Sequence, residues 1–318
     1  MVLREPVEVG RQQFNVSVVI PAFNAAQTIR RALQSVDAQT LRASEVIVVD
    51  NGSSDNTTTI VHAVCPRARV VVEPKQGAAF ARNLGIEEAS CDWVAFLDAD
   101  DRWDADKLEK QVARLDRQHC PLVFSRARLL NPDGSLHGDV YPERVPVEGP
   151  EAWRRLLRYN YIATPTVVCR RDLLSSLGGF RVDLPVGEDQ DMWLRIAERH
   201  DIALVDEYLV DVFMTAGSLS ALSKRVQAEL VMGIVRSSLD RNRERLGEAA
   251  VKEVVRERTF SFAAQLAAAG DCAPCARWLL ASMRGGLSVP RAARVLGGCV
   301  VRRASTLFAP LLFGARRR

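Results

Sequence analysis

The sequence predicts an α/β fold in which a mostly parallel sheet is flanked by helices. Through the first hundred residues, short runs of β-branched residues alternate with segments of helical periodicity. The predicted strands are almost continuously apolar, which is typical of parallel strands covered by helices on both faces. With 47% hydrophobic and 26% charged residues among 318, the chain has enough apolar residues for a sizeable core, and disordered or collagen-like classes are excluded.

Four strands are predicted in this first part, and a polar segment and a helix follow each of the first three. The strands cover residues 16–20, 46–49, 70–72 and 93–97. Pro21 closes the first strand because proline cannot donate to a β-ladder, and Asn24 is expected to cap the helix that follows. The fourth strand ends abruptly at Asp98.

The pattern loosens after residue 101 and becomes mainly helical near the C-terminus. The predicted elements are a helix over 104–119, two strands joined by a turn at 131–134, a strand over 166–169, a helix near 189–198 and a strand near 202–206. We predict three parts along the chain. They are an N-terminal extension (1–14), an α/β domain (15–220) and a helical, basic C-terminal region (221–318).

A cluster of acidic residues follows the fourth predicted strand. Ligands of open α/β sheets bind beyond the carboxyl ends of the strands, so this position suits a binding site. Asp98, Asp100 and Asp101 would repel one another unless water or a cation lay between them. Carboxylate oxygens suit Mg²⁺ or Mn²⁺, especially where a phosphate supplies further ligands. The alternative is that Asp101 caps the next helix and the other two are solvated.

Five segments taken together resemble the family 2 glycosyltransferases with the GT-A fold. They are 17–24 (SVVIPAFN), 46–55 (VIVVDNGSSD), 75–86 (KQGAAFARNLGI), 96–101 (FLDADD) and 187–195 (GEDQDMWLR). The resemblance covers about residues 15–220 and implies a Rossmann-like nucleotide-binding half (about 15–101) and an acceptor half (about 102–220). It implies an inverting, metal-dependent enzyme of cell-surface polysaccharide assembly. Such an enzyme moves a sugar from a nucleoside diphosphate, usually UDP, to a saccharide or lipid-linked acceptor.

The resemblance also implies which residues bind the donor. Pro21, Ala22 and Phe23 match the loop that lines the nucleotide base. Asp50 matches the acid that accepts a hydrogen bond from the base, usually uracil. Arg82 matches a residue near the diphosphate, where a guanidinium could donate to the phosphate oxygens.

The metal and the catalytic base follow from the same resemblance. Asp98 and Asp100 match the two acids of the DxD motif, with Asp98 toward the ribose and Asp100 as the main ligand of Mn²⁺ or Mg²⁺. Glu188 and Asp189 match an acidic pair whose second member is the usual base. Asp191 is the runner-up for the base.

Each assignment has a structural alternative. Asp50 could be a turn residue, because Asp-Asn-Gly-Ser is favourable turn chemistry. Arg82 could be a surface helix residue that pairs with Glu87 or Glu88. The carboxylates near residue 189 could simply favour a helix N-terminus. The spacing of Asp191 to Arg195 suits an i, i+4 ion pair, which leaves Asp189 as the freer carboxylate. Trp193 is expected to be a core residue or a wall of the acceptor pocket.

The sequence departs from the family pattern at two places. Asn51 stands where many relatives have a second acid after the second strand. Many relatives also carry an Arg and a His shortly before a Gly-Ser-x-Ser segment, which here is 217–220. Phe213 and Thr215 stand at those positions, so a late contact to the metal or diphosphate is in doubt.

The charge of the chain is unevenly distributed. From Cys272 to the last residue there are nine arginines and no acidic residue, whereas the preceding part has 34 basic and 39 acidic side chains. An uncharged stretch (304–315) lies between arginine clusters. We expect residues 290–318 to bind an anionic membrane surface. The alternative is a terminal helix docked on the catalytic domain. No aromatic-and-basic pattern predicts binding to nucleic acid.

Location and rival functions complete the predictions. The chain shows no secretory signal, has seven cysteines and lacks a stretch of ~18–20 apolar residues, so we expect a cytoplasmic protein that is peripheral at the inner face of the membrane. A sugar-phosphate nucleotidyltransferase would have a glycine-rich, basic loop where this chain has 21–24 (PAFN). An inactive saccharide-binding relative is the second rival, and the retained carboxylates Asp98, Asp100 and Asp189 argue against it.

Overall fold

The structure is a computed structural model that describes residues 14–118, 120–141, 147–214 and 222–300. The chain forms two compact units that are interleaved along the sequence. The first unit takes the chain up to Pro150, Ile162–Phe180 and His200–Met214. The second takes Glu151–Tyr161, Arg181–Arg199 and the chain from 215 onward. The predicted boundaries at residues 14 and 220 stay predictions.

The first unit contains a single sheet, in which the described residues form nine strands. These are β1 (Val16–Ala22), β2 (Glu45–Asp50), β3 (Arg69–Val72), β4 (Trp93–Phe96), β5 (Arg102–Trp103), β6 (Leu122–Leu130), β7 (Leu136–Asp139), β8 (Val168–Arg170) and β9 (Ala203–Phe213). The strand order is β3-β2-β1-β4-β8-β6-β9-β5, and β7 pairs with β6. The predicted α/β class is confirmed.

The sheet is parallel in its first half and mixed beyond it. Strands β3, β2, β1 and β4 are all parallel, as the apolar runs predict. Strand β8 is antiparallel to both of its neighbours, and the hairpin partner β7 and the short β5 are also antiparallel. The description as mostly parallel therefore holds for the predicted nucleotide-binding half, whereas the predicted acceptor half is mixed.

Eleven helices in the described residues have defined ends. They are α1 (Ile29–Asp37), α2 (Thr57–Val64), α3 (Ala78–Glu88), α4 (Lys107–Gln118), α5 (Ala152–Arg158), α6 (Arg171–Ser176), α7 (Glu188–Ala197), α8 (Lys224–Arg241), α9 (Arg243–Leu246), α10 (Glu248–Ala268) and α11 (Cys272–Arg284). A further helix is described over residues 289–300.

The core of the first unit forms because apolar residues recur with the period of each element. In α1, Ile29, Leu33 and Val36 share one buried face, as their helical spacing predicts. Helix α3 lies very close to β1, because a Cβ atom on Gly85 would be 2.2 Å from a methyl of Val19. This close approach fixes the helix that carries Arg82.

The second unit is helical in its described part and has its own core. Apolar side chains of α8, α10 and α11 pack with Ala292 and Cys299 of the helix over 289–300. The described part of the basic tail is therefore packed, as the docked-helix alternative had it, although its partners are helices of the same unit. Residues 301–318 lie outside the described part. No described helix is both long and apolar enough to cross a membrane.

Candidate active site

The carboxyl ends of the parallel strands lie along one edge of the sheet. Ala22 is the register partner of Asp50, which in turn pairs with Val72. The amide of Asn51 donates to the Ala22 carbonyl at 2.8 Å, and the amide of Leu97 donates to the Val19 carbonyl at 3.1 Å. The prediction that Pro21 closes the first strand is wrong, because β1 pairs with β2 through Pro21 to Ala22. The predicted donor residues at 21–23, 50 and 98 therefore lie at or just beyond the ends of neighbouring strands at this edge.

The loop after β1 is held by the loop after β2. Asn24 adopts a left-handed conformation with φ 47°, and its Oδ1 accepts the amide of Ser54 at 2.9 Å. The amide of Ala26 donates to Asp55 at 3.0 Å. The prediction that Asn24 caps the next helix is wrong, because this side chain is used in the turn and α1 begins only at Ile29. These bonds hold the loop around Phe23, whose side chain is 51% exposed.

Asp50 is buried and has one structural partner. Its Oδ1 accepts the amide of Ser53 at 3.2 Å, which is the turn contact that the alternative predicts. Oδ2 has no donor from the described part of the chain. The carboxylate can therefore serve the turn and still accept a hydrogen bond from a ligand.

Asn51 clamps the loop between β3 and α3. Its Nδ2 donates to the carbonyl oxygens of Glu73 at 2.9 Å and Lys75 at 2.8 Å, and its Oδ1 accepts the amide of Gly77 at 2.8 Å. Gly77 has φ 136°, a conformation that favours glycine, and directly precedes α3. An aspartate here would have no N–H group and could make neither of the two bonds that Nδ2 donates. The side-chain amide of Asn51 therefore has its own structural role.

Arg82 is buried and directed at the acidic loop. Its Nη2 donates to Oδ1 of Asp98 at 3.0 Å, and its guanidinium lies 5.6 Å from the ring centre of Phe180. The Asn83 side chain fixes the backbone of Phe180. Its Nδ2 donates to the Phe180 carbonyl oxygen at 2.8 Å, and its Oδ1 accepts the Phe180 amide at 2.7 Å. The predicted alternative partner Glu88 pairs with Arg69 instead. This pair places a cation beside Asp98, at the start of the acidic loop.

The acidic loop after β4 has two partly exposed carboxylates and one buried carboxylate. Asp101 is buried, and its Oδ1 accepts the amide of Phe213 at 3.2 Å. Burial, together with the nearby charges of Asp98 and Asp100, raises the pKa of Asp101 well above its ordinary value. The alternative in which Asp101 caps a helix is wrong, because α4 begins only at Lys107.

Arg31 of α1 supports the same loop. It donates to the carbonyl oxygen of Asp100, and its guanidinium lies 3.5 Å from the ring centre of Phe213. Phe213 therefore packs against the guanidinium of Arg31. Thr215 and the Gly-Ser-x-Ser segment (217–220) lie outside the described residues.

The donor set of the acidic loop fits a hard divalent cation. Asp98 and Asp100 offer carboxylate oxygens, and their charges add to the burial that raises the pKa of Asp101. Among the described residues, no group of three or more His, Cys, Asp or Glu side chains is arranged to hold a metal. An ion held by fewer protein ligands takes oxygens from water or phosphate, as Mg²⁺ commonly does.

The predicted base lies in the second unit, at the start of α7. Asp189 accepts the side-chain amide of Asn160 on Oδ2 at 2.9 Å and the backbone amide of Gln190 on Oδ1 at 2.6 Å. Asp191 is buried and pairs with Arg195 at 2.7 Å, as the i, i+4 spacing predicts. Glu188 is partly exposed in the first turn of the helix.

Trp193, two residues after Asp191 in α7, is fully buried, so its predicted place in the core is confirmed.

Comparison with known proteins identifies the family. The family model described as glycosyl transferase family 2 matches residues 17–162. The Escherichia coli protein WfgD, named UDP-Glc:alpha-D-GlcNAc-diphosphoundecaprenol beta-1,3-glucosyltransferase, is 31% identical over 193 residues, which cover 60% of this chain and 73% of WfgD. This chain belongs to the family 2 glycosyltransferases. The prediction of an enzyme that transfers glycosyl groups is thereby confirmed.

Further similarities agree with this family 2 glycosyltransferase. TuaG of Bacillus subtilis (strain 168), assigned to teichuronic acid biosynthesis, is 40% identical over 213 residues, or 65% of this chain and 81% of TuaG. The S. aureus TarS structure in complex with UDP-GlcNAc has a TM-score of 0.66 at 20% identity, covering 96% of this chain and 93% of that one. A Pyrobaculum calidifontis mannosyltransferase in complex with GDP-Man and Mn²⁺ has a TM-score of 0.59 at 20% identity, covering 94% and 85%. The structural likenesses confirm the GT-A fold.

Proposed function

We propose that the chain transfers a sugar from a UDP-sugar to a hydroxyl of a saccharide or lipid-linked acceptor, with inversion at the anomeric carbon. The observation that carries the proposal is the acidic loop with Asp98 and Asp100, beside the buried Arg82, at the carboxyl edge of the parallel strands. The names of relatives support a nucleotide-sugar donor, a diphosphoundecaprenol-linked acceptor and a setting in cell-surface polysaccharide assembly.

The donor nucleotide is assigned to the strand ends. Pro21, Ala22 and Phe23 line the base, and Asp50 accepts its N–H on the oxygen that carries no bond from the described chain. Asp98 faces the ribose. Because four parallel strands fix this edge, the contacts are preorganised before the donor binds.

The diphosphate is assigned to Arg82 and to a divalent cation. Asp100 and Asp98 would hold Mn²⁺ or Mg²⁺, and a structural neighbour that contains Mn²⁺ supports the choice of ion. When bound, such an ion neutralises the negative charge that develops on the departing diphosphate. Arg82 donates to the same group from a buried position, where a charge-assisted hydrogen bond is strong.

Asp189 is assigned the proton transfer. Its carboxylate takes the proton of the acceptor hydroxyl, the hydroxyl oxygen forms a bond to the anomeric carbon, and the bond from that carbon to the diphosphate breaks. A single displacement with no covalent intermediate inverts the configuration. Asp191 is the weaker candidate because it is buried against Arg195.

A donor panel tests the function. UDP-Glc, UDP-GlcNAc and GDP-Man are each incubated with and without Mn²⁺, and release of the nucleoside diphosphate is measured. We expect one UDP-sugar to be consumed, and only with the cation. UDP binding to Asp100→Ala that is tight and undiminished by EDTA would contradict the metal assignment.

The base is tested by two substitutions in α7. Asp189→Asn keeps the shape of the side chain and removes its basicity, so turnover should fall ~10²–10⁴-fold while UDP affinity is unchanged. Asp191→Asn should instead lower stability, because it leaves the buried Arg195 contact without its anion. Full turnover of Asp189→Asn would show that the base lies elsewhere.

Membrane association is proposed for residues 301–318. Five arginines flank the uncharged stretch 304–315, and each basic residue near an anionic surface contributes ~1 kcal/mol. This assignment places the enzyme at the cytoplasmic face of the membrane, where a lipid-linked acceptor would be reached.

A further inference from the structure

Two hydrogen bonds tie α5 and the chain just after it to the first turn of α7. Gln190 donates from Nε2 to the carbonyl oxygen of Leu156 at 2.7 Å. Asn160 donates from Nδ2 to Oδ2 of Asp189 at 2.9 Å. The bond to Asp189 is directed at a carboxylate, and hydrogen bonds to charged groups are stronger than those between neutral groups.

Arg258 of α10 donates hydrogen bonds to both α5 and α7. Arg258 donates from Nη1 to the carbonyl oxygen of Arg158 at 2.8 Å and from Nη2 to Oε1 of Gln190 at 3.3 Å. The Arg258 side chain is 4% exposed and lies 5.0 Å from the ring centre of Phe262. A single planar guanidinium therefore holds the segment before Asn160 and the residue after Asp189.

The contacts fix the orientation of the Asp189 carboxylate. Oδ1 accepts the amide of Gln190 within α7, and Oδ2 accepts Asn160 from outside the helix. Rotation of the carboxylate about its Cβ–Cγ bond would break both bonds. Loss of Asn160 removes the bond that reaches Oδ2 from outside α7, and loss of Arg258 removes the donor to the Arg158 carbonyl oxygen, two residues before Asn160.

We propose that Asn160 and Arg258 are positioning residues for Asp189. The proposal rests on the assignment of Asp189 as the base under the proposed function. It also assigns a part in the reaction to α10, which lies outside the residues matched by the family model. Neither residue needs to touch the substrate, since each acts through the geometry of the carboxylate.

The first test is Asn160→Ala, measured as release of UDP from the UDP-sugar that the donor panel selects, with water as acceptor. A misplacement of ~1 Å at a reacting group lowers turnover by ~10²-fold, so we expect kcat to fall ~10–100-fold. KM for the donor should be unchanged. Asn242→Ala is the matched control, because the Asn242 side chain donates to the carbonyl oxygen of Ser238 and makes no hydrogen bond to α5 or α7 among the described residues.

A double variant separates positioning from general structural support. If Asn160 acts through the carboxylate, adding Asn160→Ala to Asp189→Asn should lower kcat no further. Additive losses would overturn the proposal, as would full turnover of Asn160→Ala. Full turnover of Asp189→Asn alone would instead remove the proposed base, so the two failures are distinguishable.

Arg258 is tested by charge and by geometry. Arg258→Met removes both donors, and Arg258→Lys keeps the charge but cannot hold two acceptors with a planar fork. We expect kcat to fall in the order wild type, Lys, Met, while UDP affinity is constant. Lys252→Met is the control, since Lys252 is an exposed cation on the same helix. If Arg258→Met does not fold, Arg258→Lys and Asn160→Ala still decide, and equal turnover of Arg258→Lys and wild type would overturn the role of Arg258.

Discussion

Asn51 shows how one amide organises a binding edge. Its side chain joins the end of β2 to the loop before α3 with three hydrogen bonds, two of which require an amide N–H. The loop that Asn51 holds leads directly into the helix that carries Arg82.

Asn51→Asp should therefore destabilise the protein. The carbonyl oxygens of Glu73 and Lys75 would lose their donor and face a new negative charge, and an unsatisfied buried polar group costs ~1–3 kcal/mol. The free energy of unfolding, measured with urea, should fall by at least that amount. Asn56→Asp is the control, because Asn56 is exposed at the N-cap of α2 and an acid is favourable there. Equal stability of the two variants would contradict the clamp.

At this scale the residue types of the candidate site were predictable, whereas their partners were not. The position of Asp98 after an apolar strand predicts a ligand site, and the structure brings Arg82 to it. The orientation of Arg82 depends on Phe180, which Asn83 fixes from 97 residues away in sequence. No local pattern encodes a contact of that range, so Asn83 and Arg31 were missed as supports.

Among the elements, α3 depends on the absence of one side chain. Gly85→Ala would place a methyl group 2.2 Å from Val19 of β1, and overpacking of this kind costs ~1–3 kcal/mol. Thermal and urea unfolding should show this loss. Gly233→Ala is the matched helix control, because nothing lies within 4 Å of its Cβ and alanine favours a helix by ~0.5–1 kcal/mol.

Val19→Ala should reverse much of the loss caused by Gly85→Ala. The double variant removes the methyl groups that the new Cβ would meet, so the two substitutions should be non-additive. Additive losses would show that α3 does not rest on β1 at this point.

Helix α4 contains a buried lysine with a pH-dependent contribution to stability. Lys107 donates to Oε1 of Gln111 at 2.6 Å and lies 4.1 Å from the Trp103 ring centre. Burial lowers the pKa of Lys107 well below its ordinary value of 10.5. Between the folded pKa and 10.5, the unfolded chain binds more protons than the folded chain. Stability contributed by this residue therefore rises with pH in that window.

The measurement compares the wild type with Lys107→Met at pH 7 and pH 9. The free energy of unfolding of the wild type, relative to the variant, should be larger at pH 9, by at most ~1.4 kcal/mol per pH unit. An unchanged or smaller difference at pH 9 would mean that Lys107 has an ordinary pKa.

The elements themselves were largely predictable from the sequence. All four apolar runs of the first hundred residues are strands, because buried parallel strands leave a continuous apolar signal. Strand β5, Arg102–Trp103, was missed because two residues carry no periodicity and its pairing partner β9 is about a hundred residues away. The sequence also did not predict which strands of the predicted acceptor half run antiparallel, because a short strand such as β8 can pair in either direction.

At the scale of the whole molecule, charge is concentrated at the C-terminal end. Ala292 and Cys299 are buried in the helix over 289–300, so a deletion that tests the membrane proposal should begin at residue 301. The truncated protein should remain folded and leave anionic vesicles in a sedimentation assay, having lost five arginines. A full-length variant with the same arginines changed to glutamine tests charge alone. Retention of either protein on anionic vesicles would contradict the proposal.

The interleaving of the two units also sets an order of events during synthesis. Trp153 is fully buried beneath the guanidinium of Arg245, and Gln190 is buried against Arg258, which follows it by 68 residues. At ~5–20 residues per second, a ribosome would need roughly 3–14 s between Gln190 and its partner. Helices α5 and α7 therefore leave the ribosome with apolar surface that only later helices cover. During that interval the nascent chain presents the kind of apolar surface that chaperones bind.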